Sequence, residues 1–274
     1  MTTTSTTTKS GYAPINGLQL YYEIHGSGEP LILLHGGIGS VEMFGPNIEL
    51  LARTRQVIGV DLQGHARTAD IDRPLSCELM GDDIAALIAH LGFTRADVMG
   101  YSLGGSVALQ TAIRHPDRVR RLVLVSTAMA RNGWFPEVLA GFDAFGPELA
   151  EMMKPSPIYA FYEKVAPRPQ DFTRLIEKLG ALVKTDYDWT ADFARLRAPV
   201  LIVAGDADGL RPAHLIEMFA KLGGGLHDPG WDGSAGRSSS QLAIVPNATH
   251  FDLVASPRLA ALVEPFLAAS NAQR

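Results

Sequence analysis

A serine between two glycines, in the string Gly-x-Ser-x-Gly at residues 100–104, is the most direct candidate for covalent chemistry. It follows an apolar run, Val98 to Tyr101, and precedes a helical pattern, Gly105 to Arg114, so Ser102 is predicted at a tight turn between a strand and a helix. Side chains at the two glycine positions would collide with the neighbouring strand or helix. This context indicates a nucleophile elbow, which holds a serine hydroxyl above a sheet edge.

A serine hydroxyl is a poor nucleophile at neutral pH, so a histidine must take its proton and a carboxylate must fix the tautomer of that histidine. His250 follows a predicted strand, Leu242 to Val245, at the edge where a parallel sheet collects its functional loops. We therefore predict His250 as the base. Asp206 and Asp208 both follow another predicted strand, Val200 to Ala204, and their spacing leaves the choice of acid open.

A second glycine turn offers hydrogen-bond donors for a developing oxyanion. His35-Gly36-Gly37 follows a predicted strand, and the backbone N–H of Gly37 can approach a substrate carbonyl because no Cβ intervenes. The N–H of Leu103 lies at the positive end of the predicted helix. Gly37 and Leu103 are therefore predicted to form a two-donor oxyanion hole.

Alternating strands and helices are predicted to position these residues. Apolar runs alternate with helical patterns in both halves of the chain, which indicates βαβ units and a parallel sheet. Two strands joined by a turn, Leu18 to Ile24 and Leu31 to His35, predict an antiparallel opening. Between the halves, prolines punctuate short helical patterns and predict an inserted cap. The predicted divisions are a flexible polar tail (1–10), the first part of the core (11–127), the cap (128–198) and the second part of the core (199–274).

The combined motifs resemble those of the α/β-hydrolase superfamily over nearly the whole chain outside the cap. The resemblance rests on His35-Gly36-Gly37, Val60 to His65, the elbow at 100–104, Gly205-x-x-Asp208 and the late His250. It implies an α/β-hydrolase fold, with a mostly parallel sheet, helices on both faces and a helical cap insertion. In that family the acid usually stands last in the Gly-x-x-Asp string, which implies Asp208 in preference to Asp206.

The sequence departs from the common pattern of this family in three places. Thr249 stands where a glycine often precedes the histidine, and Ala66-Arg67-Thr68 stands where glycine and serine are more usual. The third departure is a Gly/Ser-rich segment, residues 223–240, predicted as a long loop that either reaches the mouth of the active site or lies in solvent. We favour the loop in solvent. None of these departures changes the residues proposed for the chemistry.

These residues predict a serine hydrolase that cleaves small carboxylic esters, a carboxylesterase, through a Ser102-His250-Asp208 triad and an acyl-enzyme. No cofactor and no metal ion is implied. A lactonase, a carbon–carbon bond hydrolase and a cofactor-free perhydrolase use a similar triad and are alternatives. Because the superfamily includes hormone-sensing members with an intact triad, a non-hydrolytic ligand receptor is a further alternative.

Composition restricts the partners and the compartment. The net charge is -5 and the chain has no run of Lys or Arg, so nucleic acid is not expected as a partner. The apolar runs are shorter than the roughly 18 residues that cross a bilayer, so no membrane partner is expected. The first ten residues lack the apolar core of a secretion signal, and Cys77 is the only cysteine. We therefore expect a cytoplasmic protein with a small-molecule ester as its substrate.

Overall fold

An eight-stranded sheet organises residues 9–269, the part of the chain that the computed structural model describes. Its strands are β1 (Lys9–Ile15), β2 (Leu18–His25), β3 (Glu29–Leu34), β4 (Arg55–Val60), β5 (Ala96–Tyr101), β6 (Val119–Val125), β7 (Val200–Ala207) and β8 (Gln241–Thr249). Their spatial order is β1-β2-β4-β3-β5-β6-β7-β8, and β3 to β8 run parallel. The predicted α/β class with a mostly parallel sheet is confirmed.

Helices connect the strands, and several of them begin at proline. They are α1 (Asn47–Ala52), α2 (Cys77–His90), α3 (Leu103–Arg114), α4 (Pro136–Phe142), α5 (Pro147–Met153), α6 (Pro157–Val165), α7 (Phe172–Lys184), α8 (Thr190–Phe193), α9 (Pro212–Lys221), α10 (His250–Leu253) and α11 (Pro257–Ala268). Proline suits the first helical position because its missing N–H would have no partner inside the helix there. No helix within residues 9–269 is both long and apolar enough to cross a membrane.

Helices cover both faces of the sheet, as the alternation of side chains along β3 shows. Leu31 and Leu33 belong to a buried cluster that includes residues of α1 and α11. Ile32 and Leu34 belong to a second buried cluster, with residues of α2, α3 and α9. Successive side chains of a strand point to opposite faces, so the all-apolar strand requires two packed layers.

The amino-terminal strands differ from the prediction in two respects. Lys9 and Ser10, predicted as the end of a polar tail, are the first residues of β1, and residues 1–8 lie outside the described part. The opening is antiparallel, but β2 pairs with β1 and β4 and not with β3. Gly26 explains the second difference, because a Cβ there would lie 2.2 Å from the Ala52 carbonyl oxygen and 2.6 Å from that of Arg55. The chain therefore passes close over the start of β4 before β3 begins.

The segment predicted as a cap, residues 128–198, holds α4 to α8 between β6 and β7. Its two ends meet: Ala130 and Asp188 form an antiparallel bridge, and the Trp189 N–H donates to the Met129 carbonyl oxygen at 2.9 Å. We call this meeting point the neck. It lies inside the predicted limits of the cap, and α8 follows it as the crossover that returns the chain to β7.

The Gly/Ser-rich segment, residues 223–240, connects the end of α9 to the start of β8. Ser102, at the end of β5, lies at the opposite edge of the parallel sheet. Most side chains of the segment are exposed, and Trp231 is fully so. The segment is thus remote from the predicted nucleophile.

Candidate active site

The turn between β5 and α3 forces Ser102 into an unusual backbone conformation, with φ of 53° and ψ of -116°. A Cβ at Gly100 would lie 2.0 Å from the Gly104 carbonyl oxygen, and a Cβ at Gly104 would lie 2.2 Å from that of Leu34. The Ser102 N–H is held by the Val125 carbonyl oxygen at 2.9 Å. Neighbouring backbone atoms therefore leave no room for a side chain at Gly100 or Gly104, and the turn has the form of a nucleophile elbow.

The Gly104→Ala variant is expected to lower the free energy of unfolding by about 3 kcal/mol, because backbone atoms cannot move aside for the new methyl group. Gly141 in α4 offers a matched control, since a Cβ there meets nothing within 4 Å. Gly141→Ala should change the free energy of unfolding by at most about 1 kcal/mol, in the stabilising direction. Urea denaturation followed by circular dichroism measures both values. Equal stability of the two variants would contradict the packing argument.

Three side chains from separate loops form a chain of hydrogen bonds at this turn. His250 Nε2 lies 3.1 Å from Ser102 Oγ, and His250 Nδ1 lies 2.9 Å from Asp208 Oδ1. Ser126 Oγ donates to Asp208 Oδ2 at 2.5 Å. Burial acts to raise the pKa of Asp208, but the hydrogen bond and charge of His250 and the Ser126 hydroxyl outweigh it and hold the pKa below its ordinary value. Asp208 is therefore a carboxylate at neutral pH.

The structure brings Asp208, and not Asp206, to the histidine. Asp206 is exposed, and its Oδ1 accepts the Ala248 N–H at 3.3 Å. The Asp208 side chain is only 1% exposed. Asp208 is therefore the hydrogen-bond partner of His250, whereas Asp206 bonds to the backbone of Ala248 in β8.

His250 is the first residue of α10, and its position is fixed on several sides. The side chains of Thr249 and Asp252 form a capping box, with Thr249 Oγ1 accepting the Asp252 N–H and Asp252 Oδ1 accepting the Thr249 N–H. Tyr101 Oη donates to the His250 carbonyl oxygen at 2.8 Å. The rings of Tyr101 and Trp134 lie 5.1 and 5.6 Å from the imidazole centroid. The threonine that departs from the family pattern is therefore a helix cap.

Gly37 and Leu103 line the same cavity as Ser102. Leu103 is the first residue of α3, where backbone N–H groups have no partner within the helix. A Cβ at Gly37 would meet nothing within 4 Å, whereas a Cβ at Gly36 would lie 2.8 Å from the Tyr101 ring. Packing requires the glycine at position 36, while position 37 borders open space.

The cavity above Ser102 has a volume of about 1300 Å³. Its wall includes the three hydrogen-bonded side chains, Ser102, Asp208 and His250, and many apolar residues of the segment between β6 and β7. These apolar residues include Trp134, Phe142, Phe145, Phe161, Leu179 and Leu182. Cavities that bind small molecules commonly enclose 300 to 1,000 Å³ or so and have largely apolar walls. The Gly/Ser-rich segment contributes no residue to this wall.

Two supporting residues were not predicted from the sequence. Ser126, directly after β6, donates to Asp208, and Trp134, just beyond the neck, packs on His250. The signal for Ser126 is its place at the carboxyl end of a parallel strand, the same edge at which β5, β7 and β8 present the other site residues. Trp134 lies in an irregular segment, where periodicity gives no position.

Comparison with known proteins places the chain among hydrolases. The family model described as "alpha/beta hydrolase fold" matches residues 29–254. RutD of Azorhizobium caulinodans, assigned provisionally as a carbamate hydrolase, is 28% identical over 225 residues, which are 77% of this chain and 85% of that protein. The 2-hydroxymuconate semialdehyde hydrolase of Pseudomonas sp. strain CF600 is 34% identical over 152 residues, about half of each chain.

The fold is also found among solved structures. A thermophilic esterase from Thermogutta terrifontis, solved with malate bound, superposes with a TM-score of 0.70. The superposition covers 94% of this chain and 98% of the esterase, at 24% sequence identity. At this level of identity the likeness concerns the fold alone.

Proposed function

The chain belongs to the α/β-hydrolase family, and on that premise we propose that it is a serine hydrolase that cleaves small carboxylic esters. One observation carries the proposal: Asp208, His250 and Ser102 are joined by hydrogen bonds of 2.9 and 3.1 Å at the wall of a large apolar cavity. This is the arrangement that activates a serine hydroxyl, with the base oriented by a carboxylate.

In the proposed mechanism, Ser102 Oγ attacks the ester carbonyl carbon while His250 Nε2 takes the hydroxyl proton. The carbonyl oxygen becomes an oxyanion, which accepts hydrogen bonds from the N–H groups of Gly37 and Leu103. When the tetrahedral intermediate collapses, the carbon–oxygen bond to the alcohol breaks and His250 returns the proton to that oxygen. Water then attacks the acyl-enzyme by the same route, which releases the carboxylic acid and restores Ser102.

Asp208 orients the base throughout. Its carboxylate accepts a hydrogen bond from the His250 Nδ1–H, which leaves Nε2 unprotonated and able to accept the Ser102 proton. Because the pKa of Asp208 lies below its ordinary value, the carboxylate remains ionised as the imidazole gains its positive charge. Ser126 Oγ donates a hydrogen bond to the second carboxylate oxygen, Oδ2, and so helps to hold the Asp208 side chain in this orientation.

A panel of p-nitrophenyl esters from acetate to laurate, run beside lactones, amides and aryl carbamates, tests the proposal. We expect turnover of the esters, with no added metal or cofactor. Carbamates are included because RutD, assigned to that activity, matches 77% of this chain. A higher kcat/KM for lactones or carbamates would reassign the substrate class. Binding of esters without turnover would support the receptor alternative.

The apolar wall of the cavity is expected to set the preference for acyl length. Leu182 in α7 is half-buried and lines the cavity. Leu182→Trp should lower kcat/KM for laurate relative to acetate by about tenfold or more, because the indole fills space that a long acyl chain would occupy. The p-nitrophenyl ester panel measures this ratio.

Leu262→Trp is the matched control for this prediction, since Leu262 lies on α11, is 37% exposed and does not line the cavity. It should leave the ratio of laurate to acetate unchanged. An unchanged ratio in both variants would show that the segment between β6 and β7 does not form the acyl pocket.

A further inference from the structure

The loop that carries Gly37 runs from the end of β3 to a short 3-10 turn, Val41–Phe44, and it is strained. Ile38 has φ of 58°, a left-handed conformation that is costly for a β-branched residue. The turn around it is closed by one internal hydrogen bond, from the Gly39 N–H to the Gly36 carbonyl oxygen at 3.2 Å. A strained loop keeps its shape only when its surroundings hold it, so contacts at its far end matter for Gly37.

Those contacts come from the segment that follows β4. Asp61 is fully buried, and its Oδ1 accepts the Val41 N–H at 3.0 Å. Its Oδ2 accepts from the Arg67 backbone N–H at 3.1 Å and from Arg67 Nη1 at 2.8 Å. The guanidinium of Arg67 also pairs with both carboxylate oxygens of Glu42. The first two residues of the 3-10 turn, Val41 and Glu42, are thereby bonded to one buried carboxylate and one arginine.

Arg67 is well placed for this role because its guanidinium is largely enclosed. The side chain is 17% exposed, and its charged carbon lies 4.7 Å from the Tyr21 ring centroid and 5.6 Å from that of Phe161 in α6. Aromatic rings attract a cation over their faces, and enclosure reduces screening by water. A planar guanidinium can bridge two carboxylates at once, which the single ammonium of lysine does less well.

We propose that Arg67 is a positioning residue: by bridging Asp61 to Glu42 it holds the strained loop in the conformation that presents the Gly37 N–H to the oxyanion. The proposal rests on the proposed function, since it concerns one donor of the same reaction. Arg67 itself does not contact the reacting atoms. Its contribution reaches the oxyanion through Val41, Glu42 and the turn that contains Gly37.

The expected effect of releasing the loop is a loss of transition-state stabilisation with little change in ground-state binding. Removing one donor from an oxyanion hole lowers kcat by about 10²- to 10³-fold in other hydrolases. Arg67→Gln displaces the donor without deleting it, so we expect a fall in kcat of about 10- to 100-fold. KM should stay within about threefold of the parent value, because most of the apolar wall, including Trp134, Phe142 and Leu182, lies outside the contacts of Arg67. Arg67→Lys, which restores the charge without the bridge, should recover part of the loss.

The decisive measurement uses a trifluoromethyl ketone, which forms a tetrahedral oxyanion adduct with an active-site serine. Across the parent, Arg67→Gln and Glu42→Gln, the inhibition constant of the ketone should rise in proportion to the fall in kcat/KM, because both report on the oxyanion donors. A merely structural role would change thermal stability and leave this correlation absent. Glu42 is 45% exposed, so Glu42→Gln is expected to fold and keeps the test open if Arg67→Gln does not.

Arg114→Gln is the matched control, since Arg114 forms a bidentate ion pair with Asp82 on the surface and does not line the cavity. It should leave kcat and ketone affinity at the parent values. A parent enzyme without ester turnover and without a ketone adduct would overturn the proposed function itself. An active parent whose folded Arg67→Gln or Glu42→Gln variant keeps full kcat and ketone affinity would overturn the positioning role alone.

Discussion

The Ser102→Ala variant is expected to lose ester turnover by about 10⁶-fold in kcat, since the loss of a nucleophilic serine removes the covalent route altogether. The residual rate comes from binding and from the oxyanion donors. The elbow itself should survive, because alanine keeps the Cβ and the backbone N–H that bonds to the Val125 carbonyl oxygen. Intact mass spectrometry after treatment with a fluorophosphonate measures the effect directly, as a stoichiometric adduct in the parent and none in the variant.

Ser106 provides the control for this experiment. It lies one turn further along α3, lines the same cavity, and has its Oγ 3.2 Å from Thr127 Oγ1. Ser106→Ala should retain both turnover and labelling. An adduct that persists in Ser102→Ala and disappears in Ser106→Ala would transfer the nucleophile to Ser106 and refute the proposed mechanism.

The second large effect is expected at the acid. Asp208→Asn should lower kcat by about 10⁴-fold, because an amide N–H facing His250 Nδ1 favours the tautomer that carries its proton on Nε2. That tautomer cannot accept the Ser102 proton. Steady-state kinetics on the preferred p-nitrophenyl ester, with circular dichroism to verify folding, measures the loss.

Asp206→Asn is the matched control, since the two aspartates are two residues apart and undergo the same substitution. Asp206 lies near the end of β7, and its Oδ1 accepts the Ala248 N–H of β8, so its variant should retain kcat within about tenfold of the parent value. The reverse ranking of the two variants would assign the acid to Asp206 and contradict the hydrogen-bond geometry at His250.

The sequence predicted most of the parallel core because its signals are local. Apolar runs of the required length and the glycines at 36, 37, 100 and 104 mark strands and turns without reference to distant residues. Chain order then places Ser102 and His250 at one sheet edge. Spacing alone left Asp206 and Asp208 open, and only the family resemblance, through the Gly-x-x-Asp string, favoured Asp208. The hydrogen bond between Asp208 and His250 agrees with that choice.

The remaining features depend on contacts between distant segments. The strand β1 contains a glycine and a proline, and only its pairing with β2 makes it a strand. Ala66 adopts φ of 41° at a position where glycine is usual. The next residue, Arg67, forms hydrogen bonds with the side chains of Asp61 and Glu42. His65 is fully buried and lies against the ring of His35. No periodicity in the sequence reports such contacts.

The neck at Ala130 and Asp188 has a consequence for how the protein could diverge. A backbone bridge already joins the two ends of this segment. A change in the length of the segment therefore costs the rest of the fold little free energy. Beyond Trp134, which packs on His250, insertions and deletions can therefore accumulate while the sheet and the three hydrogen-bonded side chains stay in place. Recombination at this junction would exchange the apolar part of the cavity wall that lies between β6 and β7 and leave Ser102, Asp208 and His250 on the core. If that wall sets the acyl preference as proposed, selectivity and reactivity evolve on separate segments of the same chain.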